Sequence, residues 1–132
     1  MIYKQVKIYY NQLDMRTFYR VNHYRTGQGL WYNYQGDFTG LIHDRFSFCK
    51  NKDLAMDFDP DLVGWLSATP TVEELHQWFP HYDLTALAKD GWYLHEYNVP
   101  EEHCRFYDKF QHWLIRKGEE RLMRIQNFGL PV

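Results

Sequence analysis

The chain has 132 residues and a nearly balanced charge, with 15 Lys and Arg residues against 17 Asp and Glu residues and a formal net charge of −2. This length suits one domain with one sizeable core, whereas a dedicated DNA-binding domain usually carries a clear excess of basic residues. Two cysteines are too few for a disulfide framework, and no apolar run is long enough to span a membrane. With no secretory signal visible at the N-terminus, we expect a cytoplasmic protein.

Aromatic residues are unusually frequent, because Trp, Tyr and Phe together make up 19% of the chain. Such side chains favour strands and fill cores with large areas. They also line pockets that stack flat ligands. We expect most of these rings in the core and on sheet faces, and some at a binding surface.

The first half of the chain predicts strands and turns. Residues 2–10 alternate roughly between apolar and polar, and residues 17–24 are rich in β-branched and aromatic residues. Glycine-containing turns flank a short strand expected at 30–34. Residues 41–62 show no clean period and are interpreted as a long, partly ordered segment. A buried strand follows at 62–68.

The first helix is predicted over residues 72–79, where apolar residues recur at helical spacing. Its start can be placed in two ways. Thr71 and Glu74 fit a capping box, Thr-x-x-Glu. Alternatively, Thr69 is the cap and Pro70 occupies the first helical position, where its missing N–H has no consequence.

The rest of the chain continues with one more helix and further strands. A second helix is expected at 81–90, and strands are expected at 92–99 and 105–115. A short helical candidate, "EERLMRI", lies at 119–125, within a loosely docked tail at 117–132. The order of strands, helices and strands predicts an α+β fold: one domain over the whole chain, with a largely antiparallel, aromatic-rich sheet and two or three short helices.

Common chemical motifs are missing from the sequence. The seven histidines show no pair at the helical i, i+4 spacing of a zinc protease, and no Cys-x-x-Cys pair occurs. Asp57, Asp59 and Asp61 alternate as in a calcium loop, but Leu62 and Ala68 stand where that loop needs Gly and Glu. No Gly-x-Ser-x-Gly elbow or phosphate-binding glycine loop is present. We therefore expect no metal site.

Polar residues stand on three predicted strands in a distinctive order. Arg20 lies in "FYRVNH", Ser67 lies in "WLSAT" before the first helix, and Asp108 and Gln111 lie in "YDKFQHWLI". This order resembles the Arg-Ser-Glu group of the ADP-ribosyltransferases. A closer likeness covers residues 17–116: the segments "YRV", "TGQGLWY", "FTGLIH", "VGWLSAT", "EEL", "WF" and "GWYLHEY" are similar to an uncharacterised family of small phage and prophage proteins.

The resemblance to ADP-ribosyltransferases implies their fold and a cleft for NAD. Arg20 would hold an NAD phosphate through a charge-assisted pair, and Ser67 would support the cleft wall and orient a catalytic acid. Tyr19 or Trp31 would stack on the nicotinamide. A carboxylate would stabilise the cationic ribose as the glycosidic bond breaks, as in glycosidases. The candidates for the catalytic position are Glu96, Asp108 and Gln111, of which Gln111 supplies no charge.

Two functions of other classes remain open. A non-catalytic phage protein, acting in counter-defence in the manner of an anti-CRISPR or in host takeover, would inhibit a host or defence protein through an aromatic surface, because Tyr, Trp and Arg dominate interface hot spots. Single-stranded nucleic acid could instead stack on the tyrosines that lie among Lys4, Lys7, Arg16, Arg20 and Arg25. Arg20 and Ser67 also have ordinary structural interpretations, as an ion-paired strand residue and as a strand hydroxyl with local hydrogen bonds.

Overall fold

The computed structural model describes residues 14–25, 27, 29, 60–79, 81–109 and 111–129. These residues form a small α+β domain dominated by antiparallel sheets, as the sequence predicts. Its six strands are β1 (Met15–His23), β2 (Trp65–Ala68), β3 (Trp92–Pro100), β4 (Cys104–Tyr107), β5 (His112–Arg116) and β6 (Arg121–Gln126). Its helices are α1 (Val72–Trp78) and α2 (His81–Lys89), with short 3-10 turns at Pro60–Leu62 and Glu101–His103. The strands expected at 2–10 and 30–34, most of the segment 41–62, and Trp31 lie outside the described residues.

The strands form two three-stranded sheets that meet along one seam. The first sheet has the order β1-β3-β6 and the second has the order β2-β5-β4, with every pairing antiparallel. Between them, Tyr19 and Thr69 exchange both backbone hydrogen bonds, at 2.8 and 3.0 Å. This single bridge joins β1 to β2, and we call the junction the seam.

Strand alternation gives the joined sheets two differently packed faces. On one face, which we call the helix face, Val21 and Leu94 pack with Leu75, Leu84 and Leu87 of the two helices. The opposite face carries a second apolar cluster, made of Phe18, Ala68, Tyr97, Val99 and Ile115. Neighbouring residues along β1 therefore point into different environments. Among the described residues, no helix is long and apolar enough to cross a membrane.

The start of α1 decides between the two caps that the sequence allows. The backbone N–H of Glu74 donates to the Thr71 hydroxyl at 3.1 Å, and Thr71 has the extended backbone typical of an N-cap. Thr69 instead belongs to the seam, and its hydroxyl donates to the carbonyl of Thr71 at 3.0 Å. Thr71 is thus the N-cap, and Thr69 fixes the chain that leads into the helix.

The helix predicted at 119–125 is wrong, because these residues form β6 instead. β6 pairs with β3, with Leu122 opposite Tyr97 and Arg124 opposite Glu96, so that Met123 is an extra residue in a β-bulge. The bulge puts Leu122 and Ile125 on the same face although they are three residues apart. That spacing imitates a helical period in the sequence.

The end of the described chain is docked by a phenylalanine. Phe128 is only 2% exposed and belongs to the core cluster on the helix face. His76 of α1 donates its Nε2–H to the carbonyl of Phe128 at 2.9 Å. Phe128 therefore anchors this end of the chain in the core, where the sequence suggested a loose tail.

The single strand predicted at 105–115 is also wrong, because it is divided into β4 and β5 by a turn. Tyr107 and His112 close the hairpin, and Gln111 has a positive φ of 55°. The backbone N–H of Gln111 donates to the carbonyl of Asp108 at 3.3 Å. Asp108 and Gln111 are consequently exposed turn residues rather than members of a strand.

Candidate functional site

Arg20 lies at the seam and ties the two sheets together. Its side chain is buried, with 5% exposure, and its Nη1 donates to the backbone carbonyl of Ser67. Gly29 covers the guanidinium so closely that an added Cβ there would collide with Nη2 of Arg20. The fold thus brings Arg20 and Ser67 together, as the resemblance implies, but the contact is made to the serine backbone.

The hydroxyl of Ser67 points to the opposite face from the Arg20 side chain. Ser67 shares a face with Thr69, which is paired with Tyr19, whereas Arg20 follows Tyr19 and faces the other way. On the helix face, Ser67 Oγ is hydrogen-bonded to His112 Nε2 at 3.2 Å, and both residues are buried. The predicted guanidinium and hydroxyl therefore do not share a cleft.

The Ser67–His112 pair is a feature that sequence reasoning missed. Burial lowers the pKa of His112 to about 4, so that its imidazole is neutral at pH 7. Its ring also contacts Trp78 of α1, with the ring centroids 5.5 Å apart. The two partners are separated by 45 residues, and only the pairing of β2 with β5 brings them together. No short sequence motif predicts such a pair.

The predicted catalytic acids do not converge on Arg20 among the described residues. Glu96 of β3 lies opposite Tyr19 and so faces away from Arg20. Its Oε2 lies 3.3 Å from Nε of Arg124, and burial together with the charge of Glu96 raises the pKa of Tyr19. Asp108 and Gln111 stand in the exposed hairpin turn.

Neutral polar side chains surround Arg20 on its own face. His95, directly opposite Arg20, donates from Nδ1 to the carbonyl of Tyr93 at 3.0 Å. Burial and, less strongly, the charge of Arg20 lower the pKa of His95, so the cluster holds no second cation at pH 7. Asn22 donates from Nδ2 to the hydroxyl of Tyr97 at 2.8 Å. This arrangement is typical of a structural hydrogen-bond network.

A separate hollow opens at the end of β1, where it meets the end of α2 and the start of β3. Its volume is about 460 Å³, within the usual range for small-molecule sites. We call it the terminal hollow. It is lined by His23, Tyr24, Arg25, Ala88, Lys89, Asp90, Gly91 and Tyr93.

Backbone contacts hold the walls of the terminal hollow in place. The N–H of Tyr24 donates to the carbonyl of Gly91 at 2.9 Å, and a Cβ at position 91 would lie only 2.7 Å from the Tyr24 ring. Gly91 has a φ of 90°, as expected for the glycine that follows a helix. His23 donates from Nε2 to the carbonyl of Asp90 at 3.0 Å and accepts the N–H of Arg25 at Nδ1. The aromatic wall is therefore fixed against the end of α2.

The terminal hollow combines aromatic rings with two cations. The Arg25 side chain donates from Nε to the Tyr24 hydroxyl at 2.7 Å, and its guanidinium carbon lies 5.4 Å from the centroid of the Tyr24 ring. Tyr93 meets Tyr24 edge-on, with centroids 6.0 Å apart. Within the described part of the chain, no carboxylate lies within ion-pair distance of Arg25 or Lys89. The hollow thus places two cationic residues beside flat rings, with one acidic residue, Asp90, also in its lining.

The sequence placed Arg25 in a basic and aromatic segment but gave no reason to join it with Lys89 and Tyr93. Only the pairing of β1 with β3 and the packing of α2 unite these three residues. In the described ranges, no three His, Cys, Asp or Glu side chains are grouped so that they could hold a metal ion. No family model, curated protein or solved structure matches the chain.

Proposed function

We propose that the protein binds a nucleotide in the terminal hollow. A nucleotide combines a flat base with an anionic phosphate, and Tyr24, Tyr93, Arg25 and Lys89 supply matching groups side by side. The proposal is carried by one observation: two cations without a described carboxylate partner border a hollow with aromatic walls. Charge-assisted hydrogen bonds from such groups are the strong contacts to phosphate.

The orientation of the bound nucleotide follows from the electrostatics of the hollow. The C-terminal end of α2 borders it and carries a partial negative charge from its last carbonyls. Amino groups of a base or hydroxyls of a ribose would face this end, where Asp90 also stands, and the phosphates would face Arg25, which follows β1. Lys89 is the last residue of α2 and offsets part of the negative charge of this end. NAD, which carries two phosphates and two flat rings, is the member of this class that the sequence resemblance names.

The proposal is for binding without transfer of ADP-ribose. Transfer needs a carboxylate beside the ribose to stabilise its positive charge. Among the predicted candidates, Glu96 is held beside Arg124, and Asp108 and Gln111 lie in the turn after β4. None of these three lines the terminal hollow, and the acidic residue that does line it, Asp90, is not one of the predicted candidates. Arg20 then acts as a structural residue of the seam rather than as a phosphate ligand.

Calorimetric titration with AMP, ATP and NAD tests this function. We expect at least one of them to bind the native chain, and Arg25→Gln or Lys89→Gln to weaken binding about tenfold or more, since each removes a charge-assisted contact. Arg121→Gln removes a charge from exposed β6 and serves as the matched control, with affinity unchanged. Absence of heat with all three nucleotides, or equal weakening by the control, would rule the function out.

A second candidate function, inhibition of a host or defence protein, is favoured by an apolar strip on β6. Leu122, Met123 and Ile125 are 44 to 48% exposed, which is unusual for large apolar residues of one strand. A defence protein purified as a defined complex with this chain would support it, provided that Leu122→Asp with Ile125→Asp breaks the complex. Persistence of that complex in the double variant would exclude the strip.

A further inference from the structure

A tryptophan and two arginines share one face of the β2-β5-β4 sheet. Trp65 of β2 lies directly opposite Arg116 of β5, and Arg105 of β4 lies opposite Leu114. Because Leu114 and Arg116 are two residues apart on β5, all these side chains project from the same face. This group contributes nothing to the terminal hollow, with which it shares no residue.

Both guanidinium groups converge on the same indole. The guanidinium carbon of Arg116 lies 4.7 Å from the centroid of the Trp65 ring, and that of Arg105 lies 5.0 Å from it. The Arg105 group also lies 5.5 Å from the ring of Tyr107. Cation–π attraction thus orders two long side chains that are exposed to solvent. We call Trp65, Arg105, Tyr107 and Arg116 the arginine–tryptophan surface.

Arg105 and Arg116 carry like charges beside the same ring and therefore repel each other. Neither Arg105 nor Arg116 has a carboxylate within ion-pair distance among the described residues. The carboxylates of Glu102 and Glu119 are directed to His103 instead, each at 3.6 Å. An anion bound across both guanidinium groups would relieve this repulsion.

We propose that the arginine–tryptophan surface binds single-stranded nucleic acid. Proteins that bind single strands combine cations along the backbone with aromatic rings and guanidinium planes on which bases stack. The segment 104–117 supports such an interaction because it contains four basic residues and one acidic residue, although the whole chain has a net charge of −2. An acidic peptide would satisfy the two arginines but would leave the stacking surface unused.

Fluorescence anisotropy with a fluorescein-labelled oligothymidylate tests the proposal. We expect the native chain to bind at low salt and to lose affinity as salt rises, since the bound phosphates release counterions. The double variant Arg105→Gln with Arg116→Gln should weaken binding about tenfold or more. The matched control is Arg121→Gln with Arg124→Gln, which removes the same charge from the exposed strand β6 and should leave oligonucleotide binding unchanged.

Further readouts separate a specific surface from general charge and from misfolding. Binding should quench tryptophan fluorescence in the native chain and much less in Trp65→Phe, a variant that keeps an aromatic ring at this position. The proposal is overturned if no oligonucleotide binds at low salt, if both double variants weaken binding equally, or if polyglutamate binds as tightly as oligothymidylate. Because the arginine–tryptophan surface shares no residue with the terminal hollow, Arg105→Gln with Arg116→Gln should leave nucleotide binding unchanged, so failure here is distinguishable from failure of nucleotide binding.

Discussion

The guanidinium of Arg20 is suited to hold a phosphate, but its surroundings indicate a structural role. The side chain is buried under Gly29 and donates to the carbonyl of Ser67 across the seam. A guanidinium that links two strands in this way compensates for the shortness of the backbone pairing between the sheets. Its residue type could be noted from the sequence, whereas its burial depends on residues far along the chain.

Replacing Arg20 tests this structural role. We expect Arg20→Ala to lower the free energy of unfolding by about 2 kcal/mol or more, because a buried acceptor loses its donor and a gap remains. Urea unfolding followed by circular dichroism measures the loss. The folded variant should keep its nucleotide affinity. If Arg20→Ala kept its stability but lost nucleotide binding, Arg20 would be a phosphate ligand rather than a structural residue.

His112 makes a prediction for the pH dependence of stability. The unfolded chain takes up this proton near pH 6.5, but the folded chain does so only near pH 4, where burial has moved the pKa. The unfolded state therefore binds more protons between these values, and stability falls as the pH decreases through that window. We expect His112 to contribute a loss of about 2 kcal/mol between pH 8 and pH 5.

Urea unfolding at both pH values, in the native chain and in His112→Gln, isolates this contribution. The variant should show a smaller loss on acidification, although His95, whose pKa is also lowered, keeps part of the effect. If the native chain and His112→Gln lost the same stability between the two pH values, His112 would not be buried in its neutral form.

At the scale of elements, β6 and the residues after it show how a bulge can mislead sequence analysis. Leu122 and Ile125 share a face at a spacing of three only because Met123 is an extra residue. The chain then leads Phe128 into the core between the helices and the first sheet. We expect Phe128→Ala to cost about 3–5 kcal/mol, as for other buried aromatic residues, when unfolding by urea is measured.

The outcome for Phe128→Leu serves as the control for that prediction. Leucine keeps an apolar side chain at the site, so its loss should be clearly smaller than that of alanine. A negligible effect of Phe128→Ala would mean that the tail docks loosely, as the sequence suggested.

The elements that local patterns determine were predictable, and those that depend on pairing were not. The two helices and the strand at Trp92–Pro100 follow from neighbouring residues, whereas the sequence left the cap of the first helix open between Thr69 and Thr71. The turn within the predicted strand 105–115 and the strand at Arg121–Gln126 depend on hydrogen bonds to distant partners. Short aromatic segments do not encode such partners.

For the whole molecule, the seam explains why the predicted site residues meet without forming a cleft. Tyr19 and Thr69 are paired, so Arg20 and the hydroxyl of Ser67 project from opposite faces of the joined sheets. The hollow to which we assign binding lies instead at the end of β1, where Tyr24 and Arg25 meet Lys89 and Tyr93. The residue types needed for nucleotide binding are visible in the sequence, but which cations lie beside the aromatic rings depends on the fold.

The most direct test of the account is the amide spectrum of isotopically labelled protein during titration with ATP and NAD. We predict that the largest shift changes occur at Tyr24, Arg25, Lys89 and Gly91, with the amide of Ser67 nearly unchanged. Shift changes centred on Ser67 and the rest of the seam, or a spectrum that does not change at saturating nucleotide, would contradict the assignment of the terminal hollow as the binding site.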